Sequence, residues 1–242
     1  MSFNHEQRRP ADLAAAYGSD VDAGLQAHMR RVYNTMCVGL GITGITAYAV
    51  ASIPALASVF LTPPMFYVAA FAPLAFLWFG FSPTRLARMS AGEATRMFAI
   101  FSGIMGLSMA TIFIVFTHES IARVFFITAG TFAATSLYGY TTKRDLTKMG
   151  SFMFMGMIGI FFASLINMFF HSAAVHFAVS IIGVVVFTGL AAWDTQYIKE
   201  SYRYNASDDS ENNRLAIAGA LRMYLNFINL FQSLLHLFGD RR

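Results

Sequence analysis

With 242 residues, 56% of them hydrophobic and only 12% charged, the chain lies outside the composition of soluble domains, which carry about 25% charged residues. Its net charge of +4 does not indicate a nucleic-acid partner, because the 17 basic residues form short clusters between apolar runs and gather on no single face. One cysteine, Cys37, excludes an internal disulfide and a thiolate metal cluster, and its apolar surroundings predict a small buried hydrophobe.

Residues 1–31 read as a polar cytoplasmic tail with a short helix near its end, and no cleavable leader is expected. A spanning helix needs about 20 mostly apolar residues. Seven stretches qualify: 32–53, 62–82, 97–117, 121–142, 152–171, 175–198 and 216–238. The first two share a charge-free run from Val32 to Ser82, punctuated at Ile53-Pro54 and Pro63-Pro64, where proline ends a helix and holds its predecessor extended. The fifth and sixth are joined by a short turn at His171-Ser172, and residues 201–214 form a hydrophilic cytoplasmic loop. The seventh carries Arg222, Asn226, Asn229, Gln232 and His236. A helix this polar avoids lipid, so it is placed at the centre of the bundle; a re-entrant hairpin is the alternative.

The basic residues set an orientation. Thirteen flank the membrane on the side of the N-terminus and the even-numbered connections, against three (Arg123, Arg241 and Arg242) on the other. The positive-inside rule therefore puts the N-terminus in the cytoplasm and the C-terminus across the membrane.

Candidate chemistry centres on Asp194. No charged residue occurs from Met149 to Trp193, and then the acid arrives near the end of the sixth span. A carboxylate at mid-membrane costs about 2.5–3.5 kcal/mol on insertion scales, and less toward the ends. Two readings stand: an interfacial acid paired with Lys199, or a proton- and cation-binding group at the inner mouth of a pathway. On the seventh helix Asn226 and Asn229 share a face with Arg222 and Gln232 one turn to either side; for Asn229 and Gln232, interhelical hydrogen bonding is expected. Serine hydrolase chemistry is disfavoured, since no histidine pairs with a serine such as Ser108, and no His-x-x-x-His spacing suggests zinc. The chain is not expected to be an enzyme, and no cofactor is implied.

Three separated motifs resemble the Bax inhibitor-1 family, bacterial branch: Tyr138-Gly139-Tyr140-Thr141-Thr142-Lys143-Arg144-Asp145-Leu146, Trp193-Asp194-Thr195-Gln196, and Tyr224-Leu225-Asn226-Phe227-Ile228-Asn229-Leu230-Phe231. Gly106-Leu107-Ser108 with Ile112-Phe113 agrees as well, so the resemblance covers roughly Arg30 to Gly239. It implies an all-α integral membrane protein with six helices surrounding a central polar seventh, in the inner (plasma) membrane. It also implies a pH-sensitive calcium leak, gated by an aspartate on the sixth helix and another on the seventh that share a proton. Asp194 matches the first position and would be the weak calcium ligand. The second falls on Asn226, a departure that predicts blunted proton dependence, because a pair with one carboxylate cannot titrate as two coupled acids. Arg85 matches an arginine that accompanies the gate from the second connection. The implied partners are the lipid bilayer and calcium or other cations. The alternative function is a non-conducting stress-response regulator that binds a membrane protease; a proton-coupled transporter is a third.

Overall fold

The computed structural model describes residues 10–82, 85, 88–204 and 209–242. Within them lie nine helices: α1 (Pro10–Ser52), α2 (Pro54–Phe60), α3 (Met65–Gly80), α4 (Ala91–Met109), α5 (Ile112–Val115), α6 (His118–Thr141), α7 (Thr147–Phe170), α8 (Ala173–Tyr204) and α9 (Asp209–Phe238). No strand occurs among the described residues.

The breaks follow local chemistry. Ile53 is extended before Pro54, which occupies the first turn of α2. Ser90 accepts from the Glu93 amide while Glu93 reaches back to the Ser90 amide, a reciprocal cap that starts α4. Thr117 caps α6 in the simpler way, through the Ser120 amide. At the α7–α8 turn His171 takes the left-handed conformation with φ of 50°, and the Asn167 side chain binds both the amide and the carbonyl of Ser172.

Several expected boundaries move. The tail expected over 1–31 is already helical from Pro10, where an alanine-rich stretch favours helix and Leu25, Met29, Val32 and Met36 form one buried stripe. Residues 1–9 lie outside the described residues; of the loop expected over 201–214, residues 201–204 and 209–214 are helical, ending α8 and starting α9, and 205–208 lie outside the described residues. The second span, expected over 62–82, is a broken pair: α2 and α3 are bent by 76° at Pro63-Pro64. Cys37 is exposed on α1, not buried. That placement costs little for an apolar thiol facing lipid.

Five helices are long and apolar enough to cross a membrane, and six if the bent pair counts as one span. The remaining long helix, α9, is too polar to meet that criterion, yet its 30 residues measure about 45 Å. It packs against α1, α4, α6 and α8. Tyr224 of α9 is completely buried, with Phe98 and Phe101 of α4 edge-on at 5.5 and 5.8 Å. Its hydroxyl lies 2.6 Å from that of Thr43 on α1, which also reaches the Ser102 carbonyl at 2.9 Å. One buried phenol thus ties three helices through satisfied polar atoms.

The far end of α9 docks beside the α5–α6 connection. Asp240 accepts from the Thr117 amide through its carbonyl, pairs with Arg123 at 2.8 Å, and donates its amide to Ser120. The helix is continuous from Asp209 to Phe238, so no re-entrant hairpin forms there.

Candidate functional site

The polar centre lies between α8 and α9. Asp194 projects from α8, while Arg222 and Asn226, four residues apart, project from one face of α9. The two carboxylate oxygens divide their partners. Oδ1 accepts from Arg222, at 2.8 Å from Nε and also from Nη2, and Oδ2 accepts from the Asn226 amide at 2.7 Å. The carboxylate side chain is 6% exposed and the arginine 37%, so the acid is sealed while the base keeps an outlet. A buried carboxylate persists as an ion only with such compensation, and here both oxygens have it.

Aromatic rings fix the arginine. Its guanidinium lies 4.6 Å from the Tyr197 ring and 5.0 Å from the Trp193 ring, both on α8. Trp193 in turn leans on α7: a Cβ added at Gly150 would stand 2.1 Å from the indole. Two residues before Asp194 on α8, the Ala192 carbonyl oxygen would stand 2.1 Å from a Cβ added at Gly139 of α6. These two glycines let α6 and α7 approach α8 closely at the level of the site.

The connection between α6 and α7 is clamped to the same helix. Gln196 accepts from the Leu146 amide at 2.8 Å and donates to the Arg144 carbonyl at 2.7 Å. Lys199 donates to the Tyr140 carbonyl at 2.7 Å. Asp145, in this connection, accepts hydrogen bonds from Thr147, which hold its carboxyl below the usual range with help from Lys148. The Tyr138–Leu146 and Trp193–Gln196 motifs are therefore two sides of one contact.

Asp194 and Asn226 are brought together, and Lys199, the alternative partner of Asp194, is engaged elsewhere. Arg85 is exposed and donates to the Phe79 carbonyl at 3.1 Å; the arginine that neutralises Asp194 is Arg222. Sequence reading placed Arg222 on the right face of the helix but gave it no role, since an i, i+4 relation to Asn226 does not say which helix that face meets. Asn229, expected to bond between helices, donates to Leu225 on its own helix. Among the described residues no group of three or more histidine, cysteine or acidic side chains is positioned to hold a metal. A calcium ion at this site would have Asp194 as its one carboxylate, already engaged by a cation.

The comparisons agree with this assembly of motifs. The sequence profile described as "Inhibitor of apoptosis-promoting Bax1" matches residues 25–242. The inner membrane protein YbhL of Escherichia coli is 44% identical over 221 residues, covering 91% of this chain and 94% of YbhL. An uncharacterized protein of Rickettsia prowazekii is 42% identical over 221 residues, covering 91% of this chain and 92% of its own length. An uncharacterized protein of Caulobacter vibrioides is 40% identical over 252 residues, covering 99% and 98%. With its apolar helices and its paired α6–α8 and α8–α9 motifs, this multi-pass membrane protein belongs to the Bax inhibitor-1 family.

Proposed function

We propose that the protein is a cation leak of the inner membrane, with calcium as the transported ion, closed at the contact between α8 and α9. The observation that carries this reading is the triad of Asp194, Arg222 and Asn226, an ion-paired and hydrogen-bonded lock between α8 and α9. Opening requires the Arg222 guanidinium to leave Oδ1, which uncovers a carboxylate facing the pathway. In this reading the bent pair α2–α3 counts as one span, and six spans surround α9. The basic clusters hold the N-terminus in the cytoplasm, with Asp240 docked at the opposite end of the bundle.

Proton dependence is shallow in this arrangement. The lock has one carboxylate, and the Asn226 amide donates at every pH. Arg222 holds the carboxylate through two nitrogens, Nε and Nη2. The experiment is calcium-dye flux in liposomes across pH 5 to 8, comparing wild type, Asp194→Asn and Asn226→Asp. The expected result is a leak abolished or deregulated by the first change and made steeply pH-dependent by the second. No flux above empty liposomes in any of the three removes the reading.

A second reading has one observation in its favour. Both oxygens of Asp194 are already occupied, so the site offers calcium no uncompensated charge. That suits a non-conducting stress-response regulator of a membrane protease, in which the lock simply fixes the shape of the bundle. Function that survives Asp194→Ala but is lost when residues 1–25 are removed would select it.

A further inference from the structure

The interface of α8 and α9 carries a second polar centre at its other end. His176 lies 18 positions before Asp194 on α8, about 27 Å along the helix. It faces His236 of α9, with ring centroids 4.6 Å apart and planes at 84°. The two imidazoles line a cavity of about 280 Å³ whose wall includes Ser180, Asn229, Gln232 and Ser233. His236 is exposed and His176 half-buried, so the pair is reachable from outside the protein. Nothing in the lock at Asp194 uses these residues.

We infer that His176 and His236 form a two-imidazole site for a divalent transition metal of the zinc, nickel and copper class, joining α8 to α9 at the end remote from Asp194. Imidazole nitrogen is the donor these ions select, whereas calcium and magnesium prefer oxygen. Zinc-to-nitrogen bonds near 2.0–2.1 Å place two imidazole nitrogens of a tetrahedral site roughly 3.3 Å apart. Centroids 4.6 Å apart put both rings within reach of a single ion between them once the side chains turn toward it. The amide oxygens of Asn229 and Gln232, with water, supply the remaining donor types within the same cavity.

The site has a mechanical consequence. The ligands sit on different helices, so a bound metal holds α8 against α9 and opposes any separation of the two. This consequence for the leak rests on the function proposed above; binding itself does not.

The test is thermal unfolding of the full chain in detergent, purified without a histidine tag and titrated with nickel chloride. Wild type is expected to gain about 3 °C or more at saturating nickel. His176→Ala and His236→Ala should each lose most of that gain, while His118→Ala and His171→Ala keep it. His176→Asn and His236→Asn provide the same comparison with less disturbance of packing. An equal shift in wild type and in the His176 and His236 variants, or an equal shift with calcium chloride, overturns the site. In liposomes, nickel should slow the leak of wild type but not of His236→Asn; a leak unaffected by nickel that binds overturns the clamp. Absence of any leak would count against the function proposed above, while the unfolding series would still decide the site.

Discussion

Helices α7 and α9 have similar lengths, yet their residues are distributed in opposite ways. The 24 residues of α7 include Phe152, Phe154, Phe161, Phe162, Phe169 and Phe170, all of them exposed, and Gly150 is its only buried residue. α9 carries an arginine, two asparagines, a glutamine and a histidine over its membrane half, yet buries Ala220, Met223, Tyr224, Leu230 and Leu235 almost completely. In water the apolar helix would be the core and the polar helix the surface. Here the apolar helix faces lipid, which is as apolar as its own side chains. The polar helix is enclosed because only protein can satisfy Arg222 and Asn226. The enclosure of α9 therefore follows from its polar residues, and substitutions at Asp194, Arg222 and Asn226 should hurt in proportion to the polar contacts they break.

The sharpest way to break this contrast is Arg222→Ala. It leaves the Asp194 carboxylate sealed among α8 and α9 without its cation, and removal of one partner of a buried pair costs about 3–5 kcal/mol. Asp194→Asn in the same chain should restore much of that loss, because no unpaired charge remains. Thermal unfolding of the two single variants and the double variant in detergent measures the coupling; additive losses would mean that the lock is not a unit.

Next in size are the glycines that bring the outer helices to the site. Gly139→Ala drives a methyl group into the Ala192 carbonyl, which is backbone and cannot turn aside, so α6 must move off α8. Overpacking of this kind typically costs about 1–3 kcal/mol. Gly150→Ala meets the Trp193 ring instead. The ring can rotate, but only by leaving its place over Arg222, so this variant should disturb the lock more than the fold. Lower stability with unchanged flux for Gly139→Ala, and the reverse for Gly150→Ala, is the expected pattern.

Tyr224→Phe is smaller again. It removes the hydroxyl bonded to Thr43 while keeping the ring between Phe98 and Phe101, a loss of about 1 kcal/mol, with the Thr43 hydroxyl still bonded to the Ser102 and Gly39 carbonyls. The same variant asks whether α1 is held by α9 through polar atoms or by packing alone; a Thr43→Val partner that adds nothing further would show that the hydroxyl pair carries the effect.

How much of this could be read from the chain depends on the kind of signal. The helical class and most of the spans follow from runs of apolar residues, a signal that needs no partner. Asp194 stands out by being alone in such a run, and Asn226 by its place in a motif. Arg222 was visible on the same face as Asn226, but its pairing depends on how α9 is rotated about its axis. That rotation is fixed by Tyr224, Met223 and their neighbours on α1, α4 and α8, and no spacing within α9 encodes it. The clamp of Gln196 on the Leu146 amide and Arg144 carbonyl was hidden for the same reason: one partner is backbone, which carries no sequence signature. His176 and His236 escape any search for local ligand spacing because they belong to different helices. The helical start at Pro10 has no clear mark in the sequence, because a polar, alanine-rich stretch looks like a tail until Leu25 and Met29 are seen buried in the core of the bundle.

The smallest expected effect lies on α7. Phe162→Leu exchanges one apolar surface for another in the middle of the helix, at a residue 55% exposed. A surface change without lost contacts should fall within about 0.5 kcal/mol. In water-soluble proteins an aromatic at the centre of a long apolar helix would be a core residue, and the cavity left by leucine in its place would cost about 1 kcal/mol or more. The two expectations differ enough for one unfolding curve to separate them. A large loss for Phe162→Leu would mean that α7 is covered by something other than lipid, a second copy of the chain being the simplest candidate. A concentration-dependent midpoint would then identify that cover, because only an associating protein unfolds at a temperature that depends on its own concentration.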